Sequence, residues 1–134
     1  MGPPRRAEKS HHLGTLQIAI MRILWRRREA ATTDVHQDLQ EERPLALTTI
    51  ATMLAKMEKK GVVLHRTEGR KFVYRPRVTE EQVKQSMVSE LLDRLFEGRG
   101  AELASHLLSR EPIDAGELRE LKALIREREK KERS

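Results

Sequence analysis

The segment from Leu47 to Pro76 constrains the fold of this chain more than any other segment. When residues 47–60 are placed on a helix at about 100° per residue, one side of that helix is apolar. It holds Ile50, Met53, Leu54 and Met57. Gly61 follows, and glycine often ends a helix because it adopts the left-handed conformation at low steric cost. Two β-prone runs then flank a basic turn that contains Gly69, which is typical of a β-hairpin. The order helix, glycine, strand, basic tip, strand predicts a winged helix-turn-helix.

The opposite side of helix 47–60 is small, hydroxylated and basic. It has no carboxylate, and its members are Thr48, Thr49, Thr52, Ala55, Lys56 and Lys59. Threonine can donate a hydrogen bond to a phosphate or contact a thymine methyl group, and lysine supplies positive charge. This composition favours a recognition helix for DNA. The alternative interpretation is an ordinary amphipathic helix whose threonines cluster without a function.

Charge is distributed unevenly along the chain. Residues 1–78 hold 16 Lys and Arg against 8 Asp and Glu, whereas residues 79–134 hold 11 against 13. A basic N-terminal part followed by a slightly acidic part predicts nucleic-acid binding in the first and assembly in the second. The chain has no cysteine, no long apolar run and no secretory signal, so we expect a cytoplasmic protein that does not span a membrane.

The N-terminal segments complete the predicted DNA-binding domain. Residues 1–12 have no periodicity and are expected to form a disordered arm. A first helix is predicted from Thr15 to about Arg27, with Trp25 as a packing anchor near its end. Residues 30–31 are short enough for a minor strand that adds to the hairpin, and Thr32 or Thr33 is expected to cap the second helix.

Three helices are predicted after the hairpin. The first opens with a capping box at residues 79–82 and runs to about Glu97, and the others span residues 101–109 and begin near Asp114. About 55 residues cannot bury this much leucine alone, so pairing with a second copy is the simplest solution. The predicted dimerisation residues are Met87, Leu91, Leu92, Leu95, Leu118, Leu121, Leu124 and Ile125. The charged tail from Arg126 is expected to fray.

These predictions combine into a mainly α fold with a small β-wing, in which a winged helix-turn-helix domain precedes a helical dimerisation domain. The predicted limits are an arm at 1–12, a DNA-binding domain at 13–78, a dimerisation domain at 79–126 and a tail at 127–134. The sequence contains no nucleophile elbow, no Gly-rich phosphate loop and no zinc-protease motif, and its five histidines are scattered. We therefore predict no enzymatic activity, no cofactor and no metal site.

Several segments together resemble the BlaI/MecI/CopY family of bacterial transcriptional repressors. They are ILW at 23–25, TTDVH at 32–36, LTTIATML at 47–54, MEKKG at 57–61, GRKFVYRP at 69–76, LLDRLFEG at 91–98 and ELREL at 117–121. The resemblance covers about residues 13–126. It implies a homodimer that binds palindromic operator DNA, with helix 47–60 in the major groove and the wing, residues 67–75, on the backbone or minor groove. It assigns DNA contacts to Thr48, Thr49, Thr52, Lys56, Arg70, Lys71 and Tyr74.

Two departures concern the inducing signal. Penicillinase repressors are inactivated by a protease that often cuts an Asn-Phe bond, and the aligned pair here is His106-Leu107. Copper-responsive members carry a C-terminal cysteine motif that this chain lacks. Two other functions are compatible with the pattern, a ligand-gated winged-helix regulator and a winged-helix module that binds a protein. The low aromatic content, 3%, argues against a large ligand cavity.

Overall fold

The computed structural model describes residues 12–133, which form six helices and three strands. In chain order these are α1 (Thr15–Arg27), β1 (Ala30–Ala31), α2 (Thr32–Leu39), α3 (Leu47–Lys60), β2 (Val63–Glu68), β3 (Lys71–Pro76), α4 (Glu80–Arg94), α5 (Gly100–Leu108) and α6 (Ala115–Arg133). Two compact units result, the first ending at Glu90 and the second beginning at Leu91. The predicted fold class is confirmed. The predicted arm lies outside the described residues, except for His12.

Helices α1, α2 and α3 enclose an aliphatic core in the first unit. Ile20 and Leu24 of α1, Val35 of α2, and Ile50 and Leu54 of α3 are all 0% exposed. Burying a side chain of this size contributes about 1.5–3 kcal/mol to stability. The predicted apolar stripe of α3 is therefore confirmed, and its burial fixes the threonine-rich side outward.

The end of α3 follows from Gly61. This glycine has φ +88° and ψ +14°, the left-handed conformation that ends a helix. The N–H of Val62 donates to the carbonyl of Met57 at 3.1 Å, and the N–H of Gly61 donates to the carbonyl of Glu58 at 3.0 Å. These two bonds satisfy carbonyls that the last helical turn leaves free, and they turn the chain directly into β2.

Strands β2 and β3 form the predicted hairpin, and β1 extends it into a three-stranded antiparallel sheet of order β1-β3-β2. Thr67 pairs with Phe72, and Glu68 pairs with Lys71 on either side of a two-residue turn. Gly69 takes φ +63° at the first turn position, where a tight hairpin turn requires glycine. The predicted minor strand is confirmed, because Ala30 pairs with Tyr74.

The start of α2 differs from the prediction. Ala31 occupies the N-cap position, and its N–H donates to the Asp34 carboxylate at 3.0 Å. Thr32 is already the first helical residue, so the threonine cap that we predicted is wrong. The pairing of Ala31 in β1 holds this residue extended and makes it the residue from which the helix starts.

The first part of α4 packs on the first unit. Its predicted capping box is confirmed: the N–H of Gln82 donates to the Thr79 hydroxyl at 3.0 Å, and the N–H of Thr79 donates to the Gln82 side chain at 2.9 Å. Val83 is buried in the core, and Met87 packs against it half-buried. Trp25 donates its indole N–H to the carbonyl of Val78 at 2.9 Å, which ties α1 to the segment leading into α4.

The second unit consists of the end of α4 together with α5 and α6, and neither α5 nor α6 contains a buried residue. Phe96 is buried and meets the His106 ring edge-on at 5.4 Å. Helix α6 continues to Arg133, so the structure places the charged tail from Arg126 in a helix. None of the helices within residues 12–133 has the length and apolar character needed to cross a membrane.

Candidate nucleic-acid interface

The outward side of α3 carries the residues that the sequence assigned to DNA. Thr48, Thr49, Thr52 and Lys56 are all exposed, and the buried side of the helix faces the core. The helix has no acidic residue in its first turn and has Lys59 and Lys60 in its last. This surface can approach a second surface closely because its side chains are short, and it can donate hydrogen bonds to acceptors there.

The wing tip adds two exposed cations, Arg70 and Lys71. Neither makes an ion pair within the described part of the chain. Arg66, on β2, differs from both: it binds the carboxylates of Glu29 and Glu68. The hydrogen bond to Glu29 is the main cause that raises the pKa of Arg66. The charge of Arg66 is thus paired with carboxylates of the same unit, whereas Arg70 and Lys71 at the tip are exposed.

Tyr74 departs from the site that the resemblance implied. It is 3% exposed, belongs to the core and is held in the central strand between Ala30 and His65. Burial raises the pKa of the Tyr74 hydroxyl, with a smaller contribution from the charge of Glu58. Tyr74 packs in the core and is not presented on the wing surface beside Arg70 and Lys71.

Sequence reasoning missed a contact that joins α3 to the wing. Glu58 Oε1 and His65 Nδ1 are 2.7 Å apart, and the His65 ring stacks on Phe72 with centroids 4.0 Å apart and planes 18° apart. Phe72 remains 47% exposed. The signal that could have revealed it is the hairpin register, since the two-residue turn at Gly69 places His65 and Phe72 diagonally on one face.

Other arginines near the helices are paired internally. Arg27 makes two hydrogen bonds to Asp38, at 2.8 Å and 3.0 Å, and Arg26 makes one at 3.0 Å. The hydrogen bond from Arg27 is the main cause that lowers the pKa of Asp38, and it raises the pKa of Arg27 in turn. These contacts tie the end of α1 to α2.

A groove of about 540 Å³ lies between α1 and the end of α2. Its lining mixes apolar residues with side chains of both charges, namely Arg22, Arg26, Arg43, Asp38, Glu41 and Glu42. Arg26 and Asp38 already bind each other across it. We assign this groove no ligand. Within residues 12–133, no group of three or more potential ligands is arranged to hold a metal ion.

The second unit presents an apolar surface. Leu95 is 69% exposed, Leu124 62% and Ile125 58%. Leu91 is exposed, and Leu92, Leu118 and Leu121 are half-buried. Met87 was predicted to belong with these dimerisation residues, but it packs against the core of the first unit.

A helix-turn-helix with a basic wing, a threonine-rich outward helix and a following helical unit defines a winged-helix transcription regulator. The chain belongs to the penicillinase repressor family, whose model matches residues 13–127. This confirms the resemblance. The family consists of transcriptional repressors, so the predictions of a repressor and of a protein that is not an enzyme are also confirmed.

Individual relatives match over most of their length. The penicillinase repressor of Bacillus licheniformis is 26% identical over 120 residues, which is 90% of this chain and 94% of the relative. The methicillin resistance regulatory protein MecI of Mammaliicoccus sciuri is 20% identical over 117 residues, 87% of this chain and 95% of that protein. A solution structure of the DNA binding domain of the repressor BlaI matches with 31% identity and a TM-score of 0.49, covering 53% of this chain and 87% of that domain.

Proposed function

We propose that this repressor acts as a homodimer on palindromic operator DNA. Helix α3 lies in the major groove of each half-site, and the wing contacts the backbone or minor groove. The observation that carries the proposal is the outward side of α3, where Thr48, Thr49, Thr52 and Lys56 are exposed on a helix whose opposite side is buried. Base contacts from such a helix specify sequence, and contacts from Arg70 and Lys71 to phosphates position it.

The exposed apolar residues of the second unit support the dimer. Leu95, Leu124 and Ile125 are large side chains for which solvent exposure is unfavourable, and a second copy of the same unit would cover them. Two-fold symmetry in the protein then predicts a palindrome in the operator, with half-sites separated by about one helical turn or a multiple of it.

An inactivating protease remains a prediction of the resemblance alone. The aligned bond, His106-Leu107, lies inside α5, so that helix would have to open before a protease could bind the chain there in an extended conformation.

Footprinting on the promoter upstream of its own gene tests the proposed function. We expect protection of a palindromic site, with two protected half-sites on one face of the duplex. A single protected half-site would contradict the dimer and leave DNA binding intact. No protection, even at low salt, together with capture of a protein through α3, would favour the protein-interaction module. Protection that appears or disappears only with an added small molecule would favour the ligand-gated regulator.

A further inference from the structure

Phe72 is unusual among the exposed residues of the wing. The side chains around it on the hairpin, Arg70, Lys71 and Thr67, are exposed and either charged or polar. Phe72 is the one large apolar side chain left 47% exposed on this sheet in the described part of the chain. It lies at the same end of the hairpin as Arg70 and Lys71, two exposed cations that make no ion pair in the described part of the chain.

The ring of Phe72 is held in place by the side chain of His65. It stacks on His65 at 4.0 Å, and His65 is in turn hydrogen-bonded at 2.7 Å to Glu58 in the last turn of α3. Glu58 is the single carboxylate of α3. The position of the ring is therefore fixed relative to the proposed recognition helix, so that the side chain gives up little conformational entropy when it binds.

The positive charge of the wing tip indicates which partner the Phe72 ring contacts. A cationic surface attracts the phosphates of a nucleic acid, and each deoxyribose between two phosphates presents an apolar C–H surface. An aromatic ring at the same hairpin tip as Arg70 and Lys71 can pack on that sugar while the cations of the tip contact neighbouring phosphates. A second copy of this chain would place like charges against each other at the same point, which is unfavourable.

We propose that Phe72 is a DNA-binding residue that packs against a deoxyribose of the duplex backbone, with His65 as the residue that positions it. The inference rests on the proposed function and adds an apolar contact to a wing interface otherwise made by charge. Because every nucleotide carries the sugar, this contact strengthens binding to all duplex sequences alike. It does not change the number of counterions released, so it leaves the salt dependence unchanged.

Fluorine NMR of the full chain tests the contact directly. The chain contains only two phenylalanines, so incorporation of 4-fluorophenylalanine gives one resonance for Phe72 and one for the buried Phe96. The probe is a short duplex of random sequence at low salt, and fluorescence anisotropy of the labelled duplex reports saturation independently. We expect the Phe72 resonance to shift on binding and to lose its H₂O/D₂O isotope shift. The resonance of the buried Phe96 should not change.

Two outcomes overturn the inference in distinguishable ways. If anisotropy shows saturation and the Phe72 resonance still senses solvent, the wing binds DNA without this ring. If anisotropy shows no binding, the proposed function fails as well. A Phe72 resonance that shifts when the protein concentration is raised, before DNA is added, would assign the ring to a contact between copies. That result would overturn the inference too.

Substitutions measure how much the Phe72 contact contributes to DNA affinity. Phe72→Ala should weaken binding to random duplex about 5- to 10-fold, because roughly half a phenylalanine surface is no longer buried. The slope of log affinity against log salt should stay unchanged. Phe72→Tyr keeps the ring and should bind nearly as the parent does. Val88→Ala, which truncates an apolar side chain that is 53% exposed on α4 and outside the wing, is the matched control and should have little effect. Equal losses for the Ala and Tyr variants, or a flattened salt slope, would contradict the sugar contact.

Discussion

At the scale of single residues, the structure divides the positive charge of the first unit into two kinds. Arg26 and Arg27 bind Asp38, and Arg66 binds Glu29 and Glu68. A count of basic residues therefore overstates the charge that is available to DNA. The sequence could not reveal this division, because the carboxylate partners lie 11 or 12 residues away for Asp38 and 37 residues away for Glu29. Lys56, Arg70 and Lys71 remain on the exposed surface.

Replacing Arg70 and Lys71 with alanine should weaken binding to operator and random DNA alike. The slope of log affinity against log salt should flatten by roughly one unit for each phosphate that the wing no longer neutralises. Arg119→Ala with Arg126→Ala is the control, since it removes the same charge from exposed positions on α6. Binding measured across a salt series separates the two. Weakening confined to the operator, with an unchanged slope, would mean that the wing tip reads bases.

The Asp38 ion pair gives a pH-dependent contribution to stability. The hydrogen bond from Arg27 lowers the pKa of Asp38 below its ordinary value of 3.8, so the folded state favours the ionised carboxylate. The stabilisation is complete above that ordinary value and disappears as the pH falls through the lowered pKa. Asp38→Asn should therefore lower Tm near pH 7, and the difference from the parent should vanish in acid. Thermal unfolding followed by the single tryptophan, Trp25, measures both, and an equal deficit at every pH would point to packing instead of charge.

At the scale of elements, the features that local chemistry determines were predicted better than those that tertiary contacts determine. Gly61 and the hairpin turn are found as expected because both depend on a backbone conformation that glycine favours. The two aromatic side chains of β3 were harder to place. Pairing with β1 makes β3 the central strand, so Val73 and Tyr74 are both buried although they point to opposite faces. Phe72 lies nearer the tip, beyond this cover, and is exposed. An alternating pattern in the sequence predicts neither the burial of Val73 and Tyr74 nor the exposure of Phe72.

Gly61→Ala should destabilise the first unit by about 1–2 kcal/mol, because an L-residue is strained in the left-handed conformation at φ +88°. No atom would block the added methyl group, so the cost is conformational and not steric. Gly100→Ala is the matched control: it also meets open space, has no positive φ and lies at the start of α5. Denaturant unfolding followed by Trp25 fluorescence measures both variants. Equal stability of the two would contradict the role of Gly61 as the stop between α3 and the wing.

At the scale of the whole molecule, the two compact units use their apolar residues differently. The first encloses its core within the chain, whereas α5 and α6 of the second bury none of their residues. Charge and leucine content predicted this division of roles, with a domain limit at residue 78. The packing of Val83 and Met87 on the first core places the compact-unit boundary later, within α4. The packing of one helix start on a distant core is a tertiary contact that composition cannot reveal.

The proposed dimer is tested through the exposed apolar residues of the second unit. A chain truncated after Glu90 keeps the first core complete and should sediment as a monomer, binding DNA only weakly through one half-site. In the full chain, Leu95→Glu with Leu124→Glu places charge at two exposed apolar positions of the second unit and should also yield monomers. Analytical ultracentrifugation distinguishes the species. A truncated chain that is still a stable dimer would assign the interface to the first unit.

The most direct test of the account is the double variant Thr49→Ala, Thr52→Ala, measured on the footprinted operator and on random duplex. Both threonines are exposed, and alanine favours a helix slightly, so Tm should hold or rise. Affinity for the operator should fall by about 1–3 kcal/mol for each base that α3 no longer reads, while affinity for random duplex should barely change. A variant that melts normally and still distinguishes operator from random DNA at full strength would show that this side of α3 does not read the operator.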